Sequence, residues 1–245
     1  MNNLTDVQLK DFFEGPLPSR IPPAGDKFQF AHDGSVSEIN VLPIQVKPKR
    51  ESDPLKLLRD IVSSDDYHTK LQGVYFDAEN QCIVASDAHS LFVMKHKVKG
   101  KSKIINPKAV IKWDGTARTE EFVEIKDNYV NYRSVIPKYD DLTTIDIVPI
   151  LSDLAGLDRA NKFLSGYQAR IFARIINKEV AIFFDPMKLY KLLLVFARLG
   201  FEKVNLCQSG NPDRCIMITA EGCEGLLMPF MSSEQCVYKT ILTIE

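Results

Sequence analysis

The sequence has no long uninterrupted run of apolar residues and no excess of one charge. Its longest apolar stretch, Leu189 to Leu199, contains Lys191 and Arg198 and is too short to span a bilayer. Lysine and arginine number 31 and aspartate and glutamate 32, so the formal net charge is −1. Any attraction to nucleic acid must therefore come from charges that the fold segregates. The segment Met1 to Phe13 lacks the basic start and apolar stretch of a signal peptide, so we expect a cytoplasmic protein with no membrane partner.

Cysteine is scarce, and several nucleotide-binding motifs are missing. The five cysteines show no C-x-x-C spacing, so we interpret them as reduced thiols and expect no metal site. No G-x-G-x-x-G opens a helix after a strand, and the chain has no P-loop. The sequence therefore indicates no dinucleotide, nucleotide or metal cofactor.

A catalytic constellation is also missing. His89 lies beside Asp87, a pair typical of a general base or a metal ligand, but no second histidine follows at metal-binding helical spacing. Ser86 and Ser90 have no nucleophile-elbow context. We therefore predict that the protein is not an enzyme and has no catalytic residues.

One short sequence motif, by contrast, occurs three times. It begins Asp53-Pro54, Asn106-Pro107 and Asp185-Pro186, and each copy continues with apolar residues and a lysine. Asp or Asn at the N-cap followed by Pro at the first helical position is a helix start. The repeat predicts helices at roughly 53–63, from Asn106 to about Ile111, and at about 186–199, each a copy of one module. A further helix over Ile147–Leu157, extending to Phe163, occupies the place of a fourth copy without a clear cap.

Short strands surround these helices and predict an α+β fold with antiparallel sheets. Residues 122–125 and 129–135 are expected to form a hairpin about Asp127-Asn128. The polar segment 140–146 is expected to link two domains. We therefore divide the chain into a flexible N-terminal extension (1–28) and two domains (29–142 and 143–245).

Four segments resemble the bacterial DNA sliding clamp, the beta subunit of DNA polymerase III. Val84–Leu91 (VASDAHSL) is similar to that family's "ATDGHRL", and Asn131–Pro137 (NYRSVIP) to "PDYRRVLP". Phe184–Tyr190 stands in place of the start of the family's last helix, and Gly225–Met231 (GLLMPFM) is similar to "VVMPMRL". Their order and spacing match the second and third of the family's three domains over roughly residues 40–231.

The resemblance implies two clamp-like domains, each with two helices packed on antiparallel sheets. Rings of this family contain six such domains, and their helices line a central hole. A chain with two domains would need three copies to close a ring, so a homotrimer is the expected assembly.

The resemblance also implies a hydrophobic groove that takes short peptides of polymerases and repair proteins, typically Gln-Leu, a small or acidic residue, then Leu-Phe. The matching positions are Ser86, Ala88, His89, Ser90, Leu91, Pro137, Leu226, Met228, Pro229 and Phe230. Methionine adapts to varied side chains, and leucine and proline supply apolar walls. The alternative is that Leu91, Leu226 and Met228 are ordinary core residues.

Three of these positions depart from the family pattern. Ala88 replaces a glycine, so we expect the turn to change shape if it requires a positive φ. Ser90 replaces an arginine and removes a long cationic wall. Phe230 replaces a methionine and is expected to narrow the slot.

A ring that slides on duplex DNA needs cations facing the phosphates, without readout of the bases. The predicted helices offer Lys56, Arg59, Lys108, Lys112, Arg159, Lys162, Lys188, Lys191 and Arg198. The alternative is that these residues form the solvated faces of amphipathic helices. Five lysines between Lys95 and Lys103 alternate with other residues and are interpreted as a solvated loop, with DNA contact as the lesser alternative.

The segment Gln8–Phe13 of this chain resembles a clamp-binding peptide, so the chain could dock on its own groove or on that of a neighbouring copy. The alternative is that the match arises by chance.

Together these observations predict a sliding-clamp-like processivity factor or scaffold that contacts DNA and tethers replication or repair proteins. The rival hypothesis is a clamp-fold adaptor or inhibitor that binds proteins without encircling DNA.

Overall fold

A computed structural model describes residues 26–32, 35–113, 118–137, 142–165, 170–177, 180–207, 214–230 and 237–244. Three α-helices lie in these ranges: α1 (Pro54–Leu58), α2 (Ile147–Leu164) and α3 (Pro186–Leu199). Two 3-10 helices span Asp66–Gln72 and Tyr132–Val135. The strands are β1 (Asp26–His32), β2 (Ser35–Val41), β3 (Val74–Asp77), β4 (Cys82–Ser86), β5 (Ser90–Lys95), β6 (Lys103–Ile105), β7 (Val110–Trp113), β8 (Arg118–Glu121), β9 (Glu124–Ile125), β10 (Leu142–Asp146), β11 (Ile171–Asn177), β12 (Val180–Phe184), β13 (Lys203–Cys207), β14 (Ile216–Ala220), β15 (Cys223–Leu227) and β16 (Val237–Ile244).

One nine-stranded sheet joins the two halves of the chain. Its order is β10-β13-β14-β15-β5-β4-β3-β6-β9, so four strands come from the second half and five from the first. The halves meet where β15 pairs antiparallel with β5. Smaller sheets are β12-β11-β16, in which β16 lies parallel to β11, and the hairpins β1-β2 and β7-β8. The α+β class with antiparallel sheets is confirmed.

Two of the three repeated helix starts form helices. The Asp185 carboxylate accepts hydrogen bonds from the N–H groups of Met187 and Lys188, and Gly200 ends α3 at φ 100°. Asp53 caps α1 in the same way, but α1 is much shorter than the predicted 53–63. These caps satisfy backbone donors that have no partner inside the helix.

The helix predicted from Asn106 is wrong. Asn106 Oδ1 accepts a hydrogen bond from the N–H of Lys108 and closes a turn, and the chain then enters β7. The sequence Val110-Ile111-Lys112-Trp113 favours a strand because β-branched and aromatic residues suit a pleated sheet, and pairing with β8 uses its backbone groups. Lys108 and Lys112 therefore do not share a helix face.

Two further predictions of local structure are also wrong. The proposed linker at 140–146 includes β10, which pairs along its length with β13. The expected hairpin at 122–135 does not form, because β9 pairs with β6 and Tyr132–Val135 is a 3-10 helix. The helix over 147–163 is confirmed as α2.

A single hydrophobic core crosses the junction between the halves. Phe92 on β5 packs edge-on against Phe196 on α3, with 5.1 Å between the ring centroids. A Cβ placed at Gly225 would lie 3.1 Å from side-chain atoms of both Leu192 and Phe196, so α3 packs directly on β15. We call this side of the sheet the core face and the opposite side the outer face. The division into domains at residue 142 stays a prediction.

An extended segment, Leu42–Glu51, lies on α2 and α3; we call it the strap. The N–H of Ile44 donates to the carbonyl of Ser152 on α2 (2.9 Å), and the N–H of Glu51 donates to the carbonyl of Arg198 on α3 (3.1 Å). A Cβ on Gly156 would collide with the Leu42 carbonyl oxygen, so this glycine permits the close approach. Along the strap, Ile44, Val46 and Pro48 are half-buried, while Gln45, Lys47 and Lys49 are exposed.

Two sequence predictions fall wholly or partly outside the described residues. The extension at 1–28 and the peptide-like segment Gln8–Phe13 lie there, apart from the start of β1. Of the segment Ser232–Glu245, residues 237–244 form β16. No helix in the described ranges combines the length and apolar character needed to cross a membrane.

Phe196→Ala should lower the free energy of unfolding by about 3–5 kcal/mol, because it removes a fully buried ring from the core that both halves share. Urea denaturation should show one transition by both circular dichroism and tryptophan fluorescence, since Trp113 lies in the first half and both long helices lie in the second. Tyr67, which is 94% exposed, supplies the control: Tyr67→Ala should leave stability nearly unchanged. Two separate transitions would contradict a shared core.

Candidate functional site

The turn Ser86–Leu91 is built by side chains that bond its own backbone. Asp87 Oδ1 accepts from the N–H groups of His89 (3.0 Å) and Ser90 (2.7 Å) and from the Ser90 hydroxyl (2.9 Å). The Ser86 hydroxyl donates to the Ser90 carbonyl and accepts from the N–H of Ala88. Both serines are buried and serve the turn, so only Ala88 and His89 of its tip are exposed.

Asp87 also holds the turn to the second half of the chain. The ammonium of Lys188 on α3 contacts Asp87 Oδ2. Burial alone would raise the pKa of Asp87, but the bond and charge of Lys188, together with the Ser90 donors, keep that pKa below its ordinary value. The carboxylate is therefore ionised at neutral pH, and its contribution to stability is lost only as the pH falls through the depressed pKa.

Ala88 adopts φ 72°, a left-handed conformation that glycine occupies without strain. The positive φ on which the expected change of shape depends is therefore present, and an alanine adopts it with strain. The change of shape itself stays a prediction.

The β5–β15 pairing brings two of the predicted segments together. Leu226 lies opposite Leu91, and the N–H of Met228 donates to the carbonyl of His89 (2.8 Å). Leu91 and Leu226 are buried, whereas Met228 is 49% exposed and Phe230 42%. Met228 and Phe230 are therefore accessible members of the predicted groove, together with Ala88 and His89 of the turn.

A row of apolar side chains crosses the outer face at this junction. Cross-strand partners share a face of a sheet, and the register pairs Leu142 with Cys207, Cys207 with Met217, Met217 with Leu226, and Leu226 with Leu91. Leu142, at one end, is 56% exposed. We call these five residues the apolar row. Sequence reasoning missed Met217 and Leu142, because only the strand register places Met217 beside Leu226 and Leu142 beside Cys207.

Pro137 lines a cleft of about 740 Å³ on the same face. Ile136, Met217 and Val93 supply further apolar walls, and Arg133, Lys95 and Glu224 supply charged ones. The cleft combines an apolar floor with a few polar groups, as peptide and ligand sites commonly do.

Tyr132 holds the cleft wall that carries Ile136 and Pro137. Its hydroxyl donates to Asp77 Oδ2 (2.8 Å) and lies 3.1 Å from the Cys82 sulfur. Burial would raise the pKa of Asp77, but hydrogen bonds from Asn80, Tyr132 and the Glu79 backbone keep it below its usual range. Because Asp77 stays charged, the bond to Tyr132 is strengthened by charge.

Phe230 packs against the second half of the chain. Its ring stacks on Phe172 of β11, with centroids 4.3 Å apart, and its N–H donates to the carbonyl of Phe183 on β12. Arg170 lies over the Phe172 ring and also pairs with Asp185 (2.7 Å). Phe230 is therefore anchored on the second half beside the N-terminus of α3.

The predicted DNA-binding cations are scattered, and several are engaged within the protein. Lys56 and Arg59 are exposed at α1, and Arg159 and Lys162 on α2, where Lys162 pairs with Asp158. Lys188 contacts Asp87, and Arg198 lies 3.7 Å from Asp60. Lys191 is half-buried on α3, and Lys108 is exposed in the turn before β7. Three of the helix cations, Lys162, Lys188 and Arg198, are therefore partly neutralised by acids of the same chain.

Ala88→Gly should stabilise the protein by roughly 0.5–1 kcal/mol, because relief of left-handed strain outweighs the added freedom of the unfolded chain. Thermal and urea unfolding measure the change. Ala155→Gly within α2 is the matched control and should destabilise by about 1 kcal/mol. A loss of stability in Ala88→Gly would show that the turn does not store this strain.

No protein-family profile matches the sequence, and no curated protein is significantly similar to it. Solved structures do match. A putative DNA polymerase III beta subunit from Eubacterium rectale aligns at 18% identity and TM-score 0.53, covering 79% of this chain and 71% of that one. The beta subunit from Thermotoga maritima aligns at 14% identity and TM-score 0.52, covering 86% of this chain and 76% of that one. The Helicobacter pylori beta clamp bound to a DNA ligase peptide aligns at 16% identity and TM-score 0.50, covering 84% of this chain and 74% of that one. The resemblance inferred from sequence is confirmed at the level of the fold: this chain has the α+β architecture of DNA polymerase III beta-subunit sliding clamps.

Proposed function

We propose that the protein is a non-catalytic, sliding-clamp-like scaffold of the cytoplasm. It binds a short peptide of a DNA polymerase or repair protein at the junction of its halves, and it contacts the backbone of duplex DNA. The H. pylori relative, which was solved with a DNA ligase peptide, supports a peptide as the ligand.

The apolar row carries the proposal. It runs across the strands at the place where the halves join, beside Met228 and the cleft of Pro137. Leu142 and Met228 are apolar yet about half exposed, which is the arrangement expected of a surface that a partner covers. Methionines at positions 217 and 228 can adapt to different apolar side chains.

The chemistry of the cleft suits a peptide that ends in two large apolar residues. Such side chains would lie on Met217, which lines the cleft, and on the neighbouring exposed residues of the apolar row and Met228, and the backbone would face the charged rim formed by Arg133, Lys95 and Glu224. A buried Tyr129 hydroxyl beneath this region has no hydrogen-bond partner among the described residues.

A homotrimer is the assembly that we propose for the DNA-bound form. Head-to-tail contacts generate a closed ring when the rotation closes. In the described part of the chain, the β7-β8 hairpin pairs with no further strand and β12 has β11 as its only partner strand, with the Phe183 carbonyl taken by Phe230, so the hairpin and the rest of β12 offer backbone edges to a neighbouring copy.

One observation favours the adaptor alternative. The strap covers part of α2 and α3, and two cations of α3 contact acids of this same chain. If these helices faced DNA, part of their surface would already be occupied. A clamp-fold adaptor would bind peptides in the groove but would not form a ring around DNA, so it would not need these helix surfaces to be free.

Leu142→Asp combined with Met228→Asp should weaken peptide binding at least tenfold, about 1.4 kcal/mol, because each change places a charge in an apolar contact. Fluorescence anisotropy with a labelled Gln-Leu-Ser-Leu-Phe peptide measures the affinity. Both side chains are about half exposed, so the variant should fold.

The matched control is Val148→Asp, an exposed apolar position on α2 away from the groove. It should bind the peptide as the wild-type protein does. Equal binding by the groove variant and this control would exclude the groove. Competition by an unlabelled peptide of residues 7–13 tests self-docking in the same assay.

Light scattering at several concentrations should give three chain masses if the ring forms. A monomer that persists at high concentration would contradict a self-sufficient ring and favour the adaptor. The peptide assay is independent of this result, so the two parts of the proposal can fail separately.

A further inference from the structure

Positive charge is concentrated in one stretch of the chain. Between Ala88 and Trp113 the sequence has seven lysines and two histidines and no aspartate or glutamate. Because the whole chain has a net charge of −1, the remaining residues sum to −8. This is the charge segregation that a protein of balanced composition needs in order to attract a polyanion.

Five of these lysines lie between the last residue of β5 and the first residue of β6, in the segment Lys95–Lys103, which we call the lysine loop. All five lysine side chains are exposed: Lys95, Lys97, Lys99, Lys101 and Lys103. Val98, in the middle, is buried in the core and holds the lysines on either side outward.

The lysine loop is held in one conformation by hydrogen bonds. The Gln81 side chain accepts from the N–H of Val98 (3.2 Å) and donates to the carbonyls of Val98 (3.1 Å) and Ala78 (2.7 Å). The Ser102 hydroxyl accepts from the N–H of Ala78 (3.0 Å). The lysines are therefore displayed by an anchored loop, which reduces the entropy that binding would cost.

A cleft of about 780 Å³ connects the lysine loop to the end of the strap and the end of α3. Its basic lining is Arg50, Lys95, His96 and Arg198, and its acidic lining is Glu51 and Glu221. Arg50 donates to the carbonyl of Leu199 (3.3 Å), which fixes its guanidinium at the cleft. Lys47 and Lys49 are exposed farther along the strap. The cleft therefore joins the first residues of the lysine loop, Lys95 and His96, to the last residues of the strap, and we call the lysine loop, this cleft and the exposed strap lysines together the basic surface.

We propose that this surface, and not the helix faces, makes the principal contacts with the phosphodiester backbone of duplex DNA. The inference rests on the proposed function and places its DNA contact on specific residues. The loop from Lys95 to Lys103 contains no phenylalanine, tyrosine or tryptophan on which unpaired bases would stack, so a duplex fits better than a single strand. The contacts are to phosphates and carry no base readout.

The test replaces Lys97, Lys99 and Lys101 by serine and measures binding to a fluorescein-labelled linear duplex of random sequence over a series of salt concentrations. Wild-type affinity should fall steeply with salt, because each neutralised phosphate releases counterions. The triple variant should bind at least tenfold more weakly at physiological salt. Its salt slope should be smaller by about 0.9 for each phosphate that the variant no longer neutralises.

The matched control removes the same number of charges from the helices: Lys56→Ser, Arg159→Ser and Lys162→Ser. This variant should retain most of the wild-type affinity and slope. Thermal unfolding and peptide binding of both variants should match the wild type, because all six side chains are exposed.

The outcomes separate the two proposals. A greater loss of affinity in the lysine-loop variant supports the inference. A greater loss in the helix variant, or an equal loss in both, overturns the inference and leaves DNA binding in place. No salt-dependent binding by the wild-type protein overturns DNA binding itself, and with it the inference, while the peptide groove stands on its own assay.

Discussion

The antiparallel pairing of β15 with β5 is the contact on which the rest of the structure depends. It converts two separate sets of strands into one sheet, and it places Gly225 where Leu192 and Phe196 can pack directly on the backbone. The same pairing lets Phe92 of the first half meet Phe196 of the second. Sheet pairing fixes register to a single residue, so the two halves cannot shift along each other without turning buried side chains outward.

Both candidate binding surfaces are consequences of that junction. On the outer face, the register aligns Leu91 and Leu226 with Met217 and completes the apolar row. At the end of the same strands, the N–H of Lys95 donates to the carbonyl of Gly222 (2.8 Å), which brings the lysine loop to the cleft of Arg50 and Arg198. Neither surface exists in one half alone.

The distribution of charge separates structural from available cations. Lys188 on α3 contacts Asp87, and Arg198 lies near Asp60, so these two cations of α3 are partly neutralised. The lysine loop lacks acids within its own sequence, and its lysines keep their charge at the surface. The ammonium of Lys188 is already engaged by Asp87, whereas solvated cations remain available to phosphates.

Local chemistry in the sequence determined the helices at 147–164 and 186–199, most of the strands, and the turn at Asp87, because caps, periodicity and Asx bonding act over a few residues. The same reasoning failed at Asn106-Pro107, where the pairing of β7 with β8 outweighed a good helix start. It also failed at 140–146, where the residues expected to form a linker pair with β13 as strand β10. The four clamp-like segments indicated the fold, and their positions named Leu91, Leu226 and Met228. Only the tertiary structure decided that Leu142 and Met217 complete the apolar row, that Lys188 forms an ion pair with Asp87, and that the strap lies on α2 and α3. These facts depend on which strands pair and in which register, and contacts between residues a hundred positions apart leave no periodic signal in the chain.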